Sequence, residues 1–303
     1  NPKAKRTSVA VGIKANRKVV LTGTPITNRP IELQPIAGYL DPVTFGNFFR
    51  FGTRYAGAYR DRFGWNFDGA SNLDELQRLL RQSFMIRRKK DEVLKELPQK
   101  IRQIIVLPRN NYGNQIQKEF ETLAEAVSET SSEQMSGVRH DTALAKVKDV
   151  VEHVSGIDHQ VVVMAHHKDV VEGIKVGLEA AGKRVVTLTG DASQTHRQDS
   201  VEAFQAGNAD VFIGTIGAAG VGITLTSASH VVFAELDWVP GNVSQAEDRC
   251  HRIGQDSSVL VQHLVVDGSI DARLAEVLVE KQKVLDKALD NVVQNNINIE
   301  EIL

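Results

Sequence analysis

Arg249, His251 and Arg252 fall within four positions of the stretch SQAEDRCHRIGQ, Ser244 to Gln255, directly after the carboxylates Glu247 and Asp248. A guanidinium is planar and permanently charged, so two placed together suit a polyanion such as a nucleoside triphosphate. Read as a helix, the stretch spaces Gln245, Arg249 and Arg252 at i, i+4 and i+7, on one face. Pro240, Gly241 and Asn242 supply a start signal and Gly254 a stop. On this reading Glu247 lies on the solvent side. The same residues also fit a solvated charged helix carrying an Arg–Glu pair or two.

Three further stretches have the residue types of a phosphate site. LTGTPITN, Leu21 to Asn28, follows a short apolar run and offers Gly23 and Thr24 in a tight turn. TIGAAGVGITLT begins at Thr215 and brings Gly217, Gly220 and Gly222 close together, where backbone can approach a ligand. TLTGDASQTHR carries Ser193 and Arg197 at a predicted helix start, a position suited to phosphate or to simple capping. Each of the three also fits an ordinary turn, loop or cap.

The elements behind these stretches alternate. In residues 101–303 the runs IRQIIVL, QVVVMA, RVVTLT, DVFIGT, HVVFAE and SVLVQHLVV read as short strands. Between and after them lie predicted helices over Asn114–Ser128, Asp141–Ser155, Lys168–Ala181, Ser193–Ala206 and Ile270–Asn291. Such alternation predicts an α/β fold, a parallel sheet with helices on both faces. Ligands of these sheets sit beyond the carboxyl ends of the strands. Residues 1–28 predict a helix over Ser8–Asn16 and a strand over Lys18–Thr22. Residues 29–100 contain FGNFFRFGTRYAGAYRDRFGWNF and then a helical stripe of Leu73, Leu76, Leu79 and Leu80, capped by Ser71 or Asn72 and running on to Pro98. With no strand pattern, this zone is expected to be helical throughout.

Composition narrows the classes. The 303 residues are 42% hydrophobic and 24% charged with a net charge of −2, so nucleic-acid binding must come from local patches. No apolar run is long enough to span a membrane. Cys250 is the only cysteine, which excludes an intrachain disulfide framework and suits a reducing, intracellular compartment. No Cys/His spacing suits zinc, so no metal site is expected. A dinucleotide-binding enzyme lacks its Gly-x-Gly-x-x-Gly turn here.

Taken in order, LTGTPITN, RRKKDEVLKELPQK, VVVMAHHKD, LTGDASQTHR, GAAGVGITLT and DWVPGNVSQAEDRCHRIGQ resemble the Snf-type branch of superfamily II helicase-like ATPases over nearly the whole chain. VVVMAHHK, VVFAELDWVPG and RCHRIGQDSS are most similar to its annealing-helicase subgroup. The resemblance implies two RecA-like lobes, ATP between them, and double-stranded or forked DNA across both. It implies residues 1–28 as the distal end of the first lobe, 29–100 as a helical protrusion, and 101–303 as the complete second lobe. No Walker A sequence and no Asp-Glu box occurs in the chain. The ligands of ATP-bound Mg2+ are therefore expected upstream, in the protein's own N-terminal lobe, and the chain alone is expected to be inactive.

The resemblance also assigns roles. Arg249 and Arg252 correspond to arginine fingers with Gln245 beside them; Gly23 and Thr24 line the first-lobe side of the nucleotide; Gly220 and Gly222 bring backbone near nucleotide and DNA. His166, His167, Lys168, Ser193, Arg197 and Thr215 are implied DNA contacts. Trp238 stands where the family meets DNA, although a core tryptophan beneath the Pro240 turn is the alternative. Arg87–Lys90 is expected to brace the protrusion, and His251 to serve as a structural hydrogen-bond partner. Gly217 and Ala219 depart from the family pattern, which has arginine and glycine there. The resemblance gives no support for histones as partners. A scaffold of the same fold that binds DNA or a partner without hydrolysing ATP is the competing expectation.

Overall fold

The computed structural model describes residues 4–62, 64–126 and 132–289. The chain forms two units, one of residues 1–89, 239–241 and 278–303, the other of residues 90–238 and 242–277.

In the first unit, α1 (Lys5–Val11), α2 (Gln34–Leu40), α3 (Pro42–Phe45), α4 (Phe48–Tyr55) and α5 (Leu73–Ser83) accompany an antiparallel hairpin of β1 (Tyr59–Asp61) and β2 (Gly64–Asn66). Leu73, Leu76 and Leu80 enter the core as their spacing predicts, meeting Ile26, Leu33, Phe45 and Phe51. Three expectations fail. The first helix ends at Val11 and buries nothing. No strand forms over Lys18–Thr22, and Val19 and Leu21 are exposed; a strand needs a neighbour for its backbone groups, and none of the described residues supplies one. The zone after residue 29 is not purely helical, because the three-residue strands of the hairpin are too short to show alternation.

The leucine-striped helix also stops before Pro98. Phe84 N–H and Met85 N–H both donate to Leu80 O, and the Phe84 ring turns onto Phe45 edge-on at 6.0 Å. Asn72 occupies the cap position in a left-handed conformation, φ 48°, without capping; its amide donates to Arg54 O instead.

The second unit contains α6 (Lys90–Val93), β3 (Lys100–Leu107), α7 (Gly113–Ala126), α8 (Ser132–Ser155), β4 (Val161–Ala165), α9 (Lys168–Ala180), β5 (Val185–Leu188), α10 (Gln194–Gln205), β6 (Val211–Thr215), α11 (Ile216–Ala219), β7 (His230–Phe233) and β8 (Val259–Val266), with α12 (Pro240–Glu247) from residue 242 on and α13 (Ile270–Leu289) up to residue 277, the rest of these two helices being counted with the first unit. The predicted ends at Ser128 and Asn291 lie outside the described residues. The six strands form one parallel sheet in the order β3-β8-β7-β4-β6-β5. β4 and β6 are buried at every residue, which is why they read as unbroken apolar runs. Val161, Val163, Val211 and Ile213 pack with Val170, Ile174 and Leu178 of α9 and Val150 of α8. Phe212, which alternates with them, meets Phe204 of α10 at 5.6 Å, so helices cover both faces. All strands point one way, and the loops after β4, β5, β6 and β7 share one edge.

Candidate functional site

The arginine stretch is not one helix. α12 ends at Glu247, and Asp248 to Gly254 follow as turns, so Arg249 and Arg252 share no helical face with Gln245. Arg249 N–H and Cys250 N–H donate three residues back, to Ala246 O and Glu247 O, so the helical ladder is not continued past Glu247. Its carboxylate is 1% exposed and bound by Arg102 from β3 through two parallel hydrogen bonds of 2.9 and 2.6 Å, with Lys100 Nζ at 2.8 Å. Burial pushes this carboxyl up, but Lys100 and Arg102 outweigh it and hold the pKa well below the usual range. The expectation of a solvent-facing Glu247 is thereby overturned: on a helix continued past 247, periodicity cannot tell which carboxylate a neighbouring strand will claim. Asp248 takes Lys90 at 2.8 Å and Lys100 at 3.1 Å.

The turn still brings the two arginines together by another route. Arg249 Nη1 and Arg252 Nη1 both donate to Ile223 O, at 3.3 and 3.1 Å, and Arg249 Nε donates to Gln245 O at 2.9 Å. Burial, and then the adjacent charge of Arg252, lower the Arg249 pKa. Two like charges converging on one neutral carbonyl are a donor set that an anion would complete. Gln255 fixes the far end, its amide donating to Ala228 O, Thr226 O and Cys250 O. His251 Nε2 donates to Pro98 O at 2.7 Å, and Lys90 Nζ to His251 O at 2.7 Å, so the histidine and the last residue of Arg87–Lys90 fasten the turn to the segment before β3.

Ile223 is delivered by the glycine-rich loop. α11 is a single turn closed by Gly220 N–H to Ile216 O, and a Cβ on Gly220 would lie 2.5 Å from that oxygen. Gly222 follows at φ +74°. Arg197 reaches across from α10, its Nη1 donating to Ala218 O at 3.1 Å and Val221 O at 3.3 Å. Arg197, Gly220, Gly222, Arg249 and Arg252 thus form one constellation around residues 218–223. Thr215, at the end of β6, is buried. Ser193 caps α10 by accepting from His196 N–H at 3.1 Å. Gly23 and Thr24 belong to the other unit, in a turn where Thr24 N–H donates to Thr22 Oγ1; no strand precedes them.

Beyond β4, the backbone N–H groups of His166 and His167 both donate to Glu235 Oε2, at 2.7 and 2.9 Å, and His167 Nδ1 donates to Glu235 Oε1 at 2.7 Å. Burial raises the Glu235 carboxyl, yet the His167 bonds prevail and its pKa is lowered. Lys168 pairs with Asp191 at 3.2 Å. Trp238 is partly exposed, with the Arg139 guanidinium 4.8 Å from its ring centre. Arg139 is buried, donates to Leu236 O at 2.7 Å, and meets Asp271, which also binds Lys146 Nζ at 2.6 Å. Glu235, Arg139, Lys146 and Asp271 were not anticipated as parts of the site. Glu235 alone left a trace in the sequence, a carboxylate closing an apolar run. Among the described residues no group of three or more histidine, cysteine, aspartate or glutamate side chains could hold a metal ion.

Residues 1–155 match the family described as SNF2-related domain, and residues 144–254 the helicase conserved C-terminal domain. The chain is 38% identical over 307 residues to the SWI/SNF-related matrix-associated actin-dependent regulator of chromatin subfamily A-like protein 1 of Xenopus laevis, covering 95% of this chain and 31% of that protein. It is 38% identical over 294 residues to the DNA annealing helicase and endonuclease ZRANB3 of Homo sapiens, covering 91% and 27%. The chain thus spans about a third of the length of the curated relatives it matches. The crystal structure of the C-terminal part of the Fun30 ATPase domain superposes with a TM-score of 0.50 over 63% of this chain and 98% of that one, at 14% identity, a likeness of fold.

Proposed function

This chain belongs to the SNF2-related family, and from that premise we propose that it is the C-terminal motor portion of an ATP-dependent double-stranded DNA translocase of the annealing or fork-remodelling type. The observation that carries the reading is the convergence of Arg249 and Arg252 on Ile223 O beside the glycine-rich loop. A γ-phosphate brought to this loop would accept the two forks in place of the carbonyl. Their charge then opposes the negative charge that develops as the phosphoryl group passes to water. Gln245 holds Arg249 through its carbonyl. The loop is pinned by Arg197 and the turn by Lys90, Lys100 and Gln255, so the forks are positioned before any nucleotide arrives.

ATP's magnesium would neutralise its phosphates. The ligands, with the phosphate-binding loop, are assigned to the protein's own N-terminal lobe. Residues 1–28 are read as the distal end of that lobe, with Gly23 and Thr24 towards the nucleotide, residues 29–100 as its protrusion and 101–303 as the second lobe. Duplex DNA would follow the shared edge of the sheet past His166, His167, Lys168, Ser193, Thr215 and Trp238, touching backbone rather than bases. The protein would work inside the cell, on DNA. A non-hydrolysing scaffold has no use for a prepositioned arginine pair, and no other observation favours it.

The test is steady-state ATP hydrolysis by the full-length protein with saturating duplex DNA, paired with nucleotide affinity. Arg252→Ala and Arg249→Ala should each lower the rate by about 10³-fold and leave ATP affinity nearly unchanged, because the fingers act on charge formed in the transition state. Arg252→Lys should recover little, since the charge returns without the fork. The 303-residue chain should show no hydrolysis by itself. Wild-type rates in both alanine variants would return the turn to a solvated surface. Weakened ATP binding with an unchanged maximal rate would make Arg252 a ground-state anchor.

A further inference from the structure

The hairpin of β1 and β2 takes no part in the roles proposed above, yet it leaves its rings in water. Trp65 is 50% exposed and Phe49, on α4 against it, 46%. Adjoining aromatic rings standing out of a folded unit mark a surface that meets something.

The rings are held in place. Phe67 lies across α4 at Gly52, where an added Cβ would come within 2.3 Å of its ring; only glycine admits it. Phe48 meets Phe67 edge-on at 5.2 Å, Phe49 meets Trp65 edge-on at 4.8 Å, and Trp65 lies nearly parallel to Phe67 at 6.4 Å. Below them, Ser71 Oγ accepts from Gly57 N–H and donates to Arg54 O, and Arg29 pairs with Asp68. Two three-residue strands are marginal alone, so these fastenings are what keep the surface formed.

Charge selects the ligand. Arg60 is the cross-strand partner of Trp65, so both project from one face of the hairpin. Arg50 follows Phe49 on α4, and both arginines are exposed. Flat rings beside guanidinium groups suit an unpaired nucleotide: the base stacks and the cation takes the phosphate. A paired duplex hides its base faces and offers the rings nothing. The geometry points to a stacking site for unpaired nucleotides, built from Trp65 and Phe49 with Arg60 and Arg50. It rests on the DNA reading above and adds to it a place for the single strand at a junction.

The test compares affinities of the 303-residue chain for a labelled oligothymidylate and for a labelled blunt duplex, by fluorescence anisotropy, with thermal melting as the check on folding. Trp65→Ala should weaken oligothymidylate binding about tenfold and leave duplex binding unchanged. Trp65→Phe should restore most of the loss, and Arg60→Glu should weaken the oligothymidylate more strongly at low salt. If the chain binds duplex but not oligothymidylate, or Trp65→Ala changes neither affinity, the stacking site is wrong and the duplex reading stands. Equal weakening of both by a folded Trp65→Ala also overturns it. Failure to bind either DNA removes both readings. Should Trp65→Ala melt early, Arg60→Glu decides: oligothymidylate affinity at low salt equal to that of the original chain counts against the site.

Discussion

Glu247 shows how far a single residue can depart from its place in a pattern. Its carboxylate is buried between Lys100, Arg102 and His263, so Glu247→Ala removes the buried acceptor of the Arg102 fork and one of the two carboxylates at Lys100, and should cost about 1–3 kcal/mol. Thermal unfolding checks this; an unchanged melting temperature would mean that the ion cluster does not form. The same cluster carries a pH dependence. Burial pushes the His263 imidazole down to about 4 from an ordinary 6.5, outweighing the attraction of Glu247. Between those values the unfolded chain binds a proton that the folded chain refuses. Stability is therefore full above about pH 6.5 and lost as pH falls towards 4, at up to about 1.4 kcal/mol per pH unit for this one group. His166, His230 and His251, each lowered chiefly by burial, act in the same direction. His263→Phe, which keeps the stacking on Phe233, should flatten the fall in melting temperature between pH 7 and 5.

Elements were legible in proportion to how much of their stability is local. β4 and β6 are buried on both faces and β-branched, and α9 and α10 begin within a residue of the predicted starts. α10 also shows a cap whose role can be divided. Ser193→Ala should cost about 1 kcal/mol. Ser193→Asp is an equally good cap, so it should recover that stability. If the helix start meets a DNA phosphate, the added negative charge should still weaken duplex binding. Melting and anisotropy measured together separate these outcomes; equal duplex affinity in all three forms would leave Ser193 a cap and nothing more. The hairpin escaped notice because two strands of three residues have no period to read. The burial of Glu247 at the end of α12 escaped because its partner, Arg102 of β3, is 145 residues away in sequence.

At the scale of the whole molecule, a net charge of −2 leaves no long-range pull on a polyanion. Duplex binding by this chain should be weak and blind to sequence, and log affinity should fall by roughly 0.9 per phosphate contact for each unit of log salt. A titration across salt concentrations measures the slope. A tight, sequence-specific complex that survives raised salt would point to a regulator instead of a motor. No helix of the described residues is long and apolar enough to cross a membrane.

Periodicity and motif order by themselves determined the parallel α/β sheet, the family, and the presence of an arginine pair and of a glycine-rich stretch, because each is read from residues near one another in sequence. Tertiary structure alone decided that Arg249 and Arg252 meet at Ile223 O from a turn, that Glu235 pins His166 and His167, and that Arg139 lies against Trp238. Those contacts join strand ends and loops far apart in the chain. A buried charge goes to whichever opposite charge or polar group the fold brings within reach, and no local pattern records that choice.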